Sequence, residues 1–208
     1  MTTPDARLVL FLDYQNVHGS ALRSFWPRGT HPADGHVDPL ALGLFLAERR
    51  TANGFPSMLS GVRVYRGLPS STRQPEAAAA NERQADAWSR SSSLITVKRR
   101  PLRYPPAWPA EKAMEKGVDV AIAVDVVRLG MEGAYDVGVV FSGDTDLLPA
   151  LEAVIELKCA HVEVAAWRGS NPLRFPGGSA PWCQWLGKSD YATVRDLADY
   201  GSRSRGTQ

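Results

Sequence analysis

The stretch VVFSGDTDLLPAL, residues 139–151, runs from unbroken apolar residues through Ser142-Gly143 to two aspartates, Asp144 and Asp146. It then resumes apolar residues at helical spacing. An apolar run without alternation is how a strand buried on both faces reads. Pro149 falls in the first turns of the helix that follows, expected over 144–158, where a proline is tolerated. Strand followed at once by helix is the unit of a parallel α/β sheet. The same stretch raises a chemical question: carboxylates two residues apart repel, and desolvating them is costly unless a cation compensates.

The rest of the chain repeats the unit. ARLVLFLDYQN (6–16) is a second buried run, closed by Asp13, and the residues after it, through PRGTHPADGH (27–36), read as a loop. Helices are predicted over 38–50, where Asp38 and Pro39 form a start signal, and over the alanine-rich segment 75–90. Strands are predicted at 61–67, 93–98, 135–143 and 161–167. An irregular, proline-rich segment occupies 99–117, followed by a buried helix over 118–130 that stops at Gly130. A loop rich in Gly, Pro and Trp covers 168–187, a short helix 189–200, and the tail 201–208 is expected to lack regular structure. Alternation of this kind predicts a three-layer α/β sandwich with a mostly parallel sheet of five strands.

Composition sets outer limits. The 208 residues, 44% hydrophobic and 22% charged, suit one well-filled α/β domain, and a net charge of +2 points to no partner. Its distribution is more informative, since Lys98, Arg99, Arg100 and Arg103 crowd together. Cys159 and Cys183 have no metal-ligand spacing and read as reduced thiols. No apolar stretch reaches transmembrane length, so no membrane association is expected and the location is read as cytoplasmic. Edge strands and exposed aromatics leave room for a homodimer.

In open parallel sheets the functional groups gather at the carboxyl ends of the strands. Asp13 ends the first strand, Asp144 and Asp146 follow the fourth, and Asp119 opens the buried helix. Any one of them could be a helix cap. Together they form a convergent set of hard oxygen ligands without clustered Cys or His, which suits Mg²⁺ or Mn²⁺ rather than zinc. Such ions activate water and hold phosphodiester oxygens. A serine hydrolase is disfavoured because no G-x-S-x-G occurs, and no G-x-G-x-x-G or Walker A motif supports nucleotide binding. His18 and the two cysteines suggest no nucleophile and base, and His31, His36 and His161 read as loop or surface residues.

Taken together, LFLDYQNV, EKGVDVAIAVDVV and VGVVFSGDTDLLPAL resemble the NYN domain family, a branch of the PIN-like nucleases, over roughly residues 7–167. The resemblance implies a Rossmann-like sandwich, assigned to 1–167; residues 168–200 lie outside the matched motifs and are expected to pack on the same domain. It also implies an acidic Mg²⁺ or Mn²⁺ site and metal-dependent cleavage of RNA. Carried over by position, Asp13, Asp119, Asp144 and Asp146 would hold metal, Asn16 would brace the site through its amide, and Ser142 would lie within reach. Asp125 also matches a family acid. Lying six residues past Asp119, it sits about 120° around the helix and reads as a supporting group rather than a direct ligand.

The segment VKRRPLRYPPAWP supplies Lys98, Arg99, Arg100 and Arg103 for phosphates, with Tyr104 or Trp108 to stack a base, as binding of single-stranded RNA requires. Lys116 could stabilise charge on a scissile phosphate. Trp167, Trp182 and Trp185 read as a core extension or subunit contact. The expectation is thus a metal-dependent endoribonuclease. A non-cleaving RNA-binding module of the same fold is the alternative, and a nucleotide phosphatase is a weaker third.

Overall fold

The apolar runs pair into a parallel sheet in the computed structural model, which describes residues 4–175 and 181–201. In chain order the elements are β1 (Ala6–Asp13), α1 (Tyr14–Phe25), α2 (Pro39–Ala52), β2 (Ser57–Leu68) and α3 (Pro75–Ser91). They continue with β3 (Ile95–Pro101), α4 (Val118–Met131), β4 (Val137–Phe141), α5 (Leu148–Glu156), β5 (His161–Trp167), β6 (Cys183–Leu186) and α6 (Lys188–Val194). Short 3₁₀ turns occupy 32–35 and 145–147. The strand order is β3-β2-β1-β4-β5-β6 and every neighbouring pair is parallel. From β1 the chain winds outward in one direction to β2 and β3 and in the other to β4, β5 and β6. The switch point therefore lies between β1 and β4, the place where such sheets open a crevice at their carboxyl ends.

Strand parity sorts the side chains into two cores. Leu8, Leu10 and Leu12 of β1 pack with α1, α2, α3 and α6 in one apolar cluster. Val9 and Phe11 pack with Tyr65 and the apolar faces of α4 and α5 in the other. Helices on both faces bury β4 and, from Leu8 onward, β1, which is why both read as continuous apolar runs.

Besides a β2 that begins four residues early, at Ser57, four differences from expectation bear on the fold. The sheet has six strands, not five: β6 was hidden in a segment read as loop, because four residues, CQWL, flanked by Pro and Gly carry too little periodicity to register. Residues 14–25 form α1 rather than a loop. Gly, Ser and His weaken its helical pattern, but Asp13 caps it and Val17 and Ala21, one turn apart, bury its inner face. β3 runs on through Pro101, so Arg99 and Arg100 belong to a strand that pairs with Arg66 and Gly67. α6 ends at Val194, six residues early. Beyond Gly201, the tail expected to be irregular lies outside the described residues. Among these no helix is long and apolar enough to cross a membrane.

Candidate metal centre

The parity that buries Phe11 and Val140 also decides where the polar strand ends point. Asp13 continues the Val9–Phe11 series, and Ser142 follows Val140 in the same sense, so both face the α4 layer. Their side chains meet: Ser142 Oγ donates to Asp13 Oδ2 at 2.7 Å. The other Asp13 oxygen accepts from the Asn16 amide N–H at 3.2 Å, the N-cap bond of α1. Asn16 Oδ1 in turn accepts from Gly143 N–H at 3.0 Å, tying the start of α1 to the loop after β4. A Cβ at Gly143 would sit 3.1 Å from Asn171 O, a tight contact that glycine avoids.

Beyond Gly143 the Asp144 amide donates to Ser142 Oγ, and the Asp144 carboxylate accepts from Asp146 N–H at 3.0 Å, starting the 3₁₀ turn. Two residues apart at the start of that tight turn, Asp144 and Asp146 lie on one side. Asp119 arrives from across the crevice in the first turn of α4. That helix begins after Gly117, whose φ of 73° is a left-handed conformation that glycine adopts at little cost. Carboxylate oxygens of Asp119, Asp144 and Asp146 all lie within 4.8 Å of one another.

Asp13 stands beside this trio rather than within it. Burial raises the pKa of its carboxyl above the ordinary range, against the hydrogen bonds from Ser142 and Asn16, and the negative charges of Asp144 and Asp119 push the same way. Glu115 belongs to the same field and escaped the sequence reading. It accepts a hydrogen bond from Gly67 N–H at the end of β2. Burial, and then the charges of Asp13 and Asp119, raise its pKa. Four residues before Asp119 and separated from it by a helix-starting glycine, Glu115 offered no periodic signal. Only the return of the 103–116 segment, clasped by the antiparallel bridge Arg103–Met114, brings it to the crevice.

None of Asp13, Glu115, Asp119, Asp144 and Asp146 has an ion-pair partner among the described residues. These five carboxylates, two of them with raised proton affinity, form an electrostatic deficit that the nearby Arg66 charge, acting on Glu115, relieves only in part. A divalent ion held by three hard oxygens would fill it. The donor set fits Mg²⁺ or Mn²⁺; no sulfur or imidazole contributes to it.

The remaining candidates scatter. Asp125 is 4% exposed and turned away from the trio; it accepts from Tyr65 Oη at 2.6 Å, Lys98 Nζ at 2.5 Å and Arg128 at 3.3 Å. Burial opposes its ionised form, but these three donors prevail and lower its pKa. Lys98 is thereby committed to Asp125, and Arg99 to Glu82 through bonds of 2.5 and 3.1 Å. Arg100, Arg103 and Lys116 are exposed and have no carboxylate partner among the described residues. Tyr104 is half-buried. Its hydroxyl donates to Gln74 Oε1 and accepts from Ser70 N–H, Arg73 lies 4.9 Å from its ring centre, and Trp108 meets it edge-on.

Trp167 is fully buried and donates to Val17 O. Trp182 is exposed and Trp185 intermediate. His36, expected at the surface, instead packs with Tyr14 and His18. Its Nδ1 lies 2.9 Å from Tyr14 Oη, and burial, with His18 adding to it, lowers its pKa to about 4.

A family model described as the NYN domain matches residues 7–174. No curated protein matches the chain. Among solved structures, a protein of unknown function from Vibrio parahaemolyticus is similar at 14% identity and a TM-score of 0.56. The match covers 91% of this chain and 98% of that one, a likeness of fold.

Proposed function

The chain belongs to the NYN domain family, whose domain implies a PIN-like nuclease fold, and from that premise we propose that it is a metal-dependent endoribonuclease. The observation that carries the reading is the convergence of Asp119, Asp144 and Asp146, from two separate segments, at the sheet's switch point with no ion-pair partner among the described residues.

Asp119, Asp144 and Asp146 are the residues that would hold Mg²⁺ or Mn²⁺. When bound, the ion supplies positive charge that polarises the scissile phosphate and lowers the pKa of water. Asp13 lies next to that position, its orientation set by Ser142 and by the cap of α1. Asn16 and Ser142 hold the Gly143–Asp144 turn so that the two aspartates keep their separation. Lys116, Arg100 and Arg103, free of carboxylate partners among the described residues, offer charge to a polyanion approaching along the 99–117 segment. The proposed substrate is a single strand, whose unpaired bases are free to meet side chains beside the site. In-line attack by water on phosphorus leaves a 5′-phosphate and a 3′-hydroxyl.

End-labelled single-stranded RNA incubated with Mg²⁺ or Mn²⁺ tests the reading. Cleavage that disappears with EDTA, and in a folded Asp144→Asn variant, is the expected result. RNA bound but left intact by the native protein under both metals would replace the nuclease with a binding module of the same fold.

A further inference from the structure

The chain immediately beyond Gly67, whose N–H is held by Glu115, leaves the acidic crevice and forms one wall of a groove. This groove, of about 640 Å³, lies between the start of α3 and the ends of β2 and β3. Leu68, Pro69, Ala78, Ala79, Leu102 and Tyr104 line it, so its walls are mostly apolar. We propose that this groove is a base-binding subsite, seating one unpaired nucleobase of the RNA strand next to the scissile bond. The proposal rests on the ribonuclease reading and deepens it.

Three observations favour that occupant. The groove starts beside the acidic crevice: Leu68 directly follows Gly67, Glu115's hydrogen-bond partner, and Glu115 shares the field of Asp13 and Asp119. Its walls are also held in place before any ligand arrives. Leu102 N–H donates to Leu68 O at 3.0 Å, and the Tyr104 hydroxyl ties Ser70 to Gln74 at 2.8 and 2.7 Å. A preformed apolar slot suits a flat, rigid ring.

Charge completes the match. The one acid lining the groove, Glu82, is neutralised by Arg99, while exposed Arg73 lies over Tyr104 and Arg100 and Arg103 follow on the adjoining strand and loop. An apolar slot bordered by unpaired cations complements a molecule that is flat and apolar at one end and anionic at the other. Because Tyr104 already has Arg73 over its ring and Trp108 at its edge, it acts as a wall of this slot rather than as an open stacking platform.

The test uses binding and cleavage separately. Fluorescence anisotropy of a labelled 12-nucleotide single-stranded RNA is measured on Asp144→Asn protein, with and without Ala79→Trp, which fills the groove from an exposed position of α3. The same RNA carrying one abasic residue at each position in turn gives a readout that needs no second protein variant. The expected loss is on the order of tenfold in affinity from Ala79→Trp. A similar loss should come from one abasic position alone, with no further loss when the two are combined. Equal affinity for every abasic RNA would overturn the subsite, as would unchanged binding by folded Ala79→Trp protein. If the native protein still cleaves RNA with Mn²⁺ in either of those cases, the ribonuclease reading stands without it. A native protein that binds no RNA removes both.

Discussion

Glu163 in β5 and the carboxylates at the ends of β1 and β4 are built from the same chemistry, yet the fold treats them in opposite ways. Glu163 is fully buried and fully matched. Burial works against its charge, but donors from His161, Arg50 and Gln184 prevail and lower its pKa, with the Arg50 bond at 2.7 Å. Asp125 is matched in the same manner by Lys98, Tyr65 and Arg128. Asp13 and Glu115 receive only neutral donors and stay close to further negative charge, so their pKa values rise. Glu163 and Asp125 each have a cation within ion-pair distance. The acids at the switch point have no ion pair among the described residues, and that contrast is what favours a ligand there.

The first way to break that comparison is to unmatch the matched side. Arg50→Met leaves Glu163 buried without its cation and should lower stability by about 3–5 kcal/mol. Chemical denaturation measures it, and a loss under ~1 kcal/mol would show the pair to be unimportant. Activity per folded molecule should hold. Asp119→Asn is the converse: RNA cleavage should fall on the order of 10²–10³-fold, the scale of losing one charge-stabilising group, with the melting temperature kept or raised. A variant that melts early would mean Asp119 serves the fold first.

Asp125→Asn tests the intermediate case. Weakening a buried hydrogen-bonded acid should cost about 1–3 kcal/mol, while Mn²⁺ affinity measured by calorimetry stays within twofold. A lost metal site would move Asp125 into the centre.

The smallest effect concerns pH. Because its folded pKa is raised, Glu115 contributes stability below the ordinary carboxylate range, and that contribution is lost as pH rises through the folded value. Glu115→Gln should therefore raise the metal-free melting temperature at pH 7, and the gain should vanish by about pH 4. Glu163 and Asp125, with lowered values, have the opposite sense: their stabilisation is present at neutral pH and lost on acidification. A pH-independent effect of Glu115→Gln would show that it acts through packing.

Much of this was legible in the chain. Buried parallel strands announce themselves as unbroken apolar runs, and β1 and β4 read that way because helices cover both their faces. Asp13, Asp119, Asp144 and Asp146 could be named because each sits at a strand end or helix start, positions that local pattern reveals. α1 and β6 could not, since their helical and extended states depend on packing against Trp167, Phe141 and the rest of one core rather than on local pattern. The cations of the 98–103 segment looked equivalent as a run of charge. Strand pleating sends Lys98 to Asp125 and Arg99 to Glu82, on opposite faces.

The sequence by itself determined the α/β class, the family and the four aspartates, because burial periodicity and short-range spacing are local properties of a chain. Only the tertiary structure decided which acids share a field. It gathered Asp119, Asp144 and Asp146 into one cluster, left Asp13 beside them and brought Glu115 into the same field. It also turned Asp125 away into a set of donors of its own. Electrostatic coupling depends on distance through space, and residues 13, 115 and 144 become neighbours only once the sheet has closed.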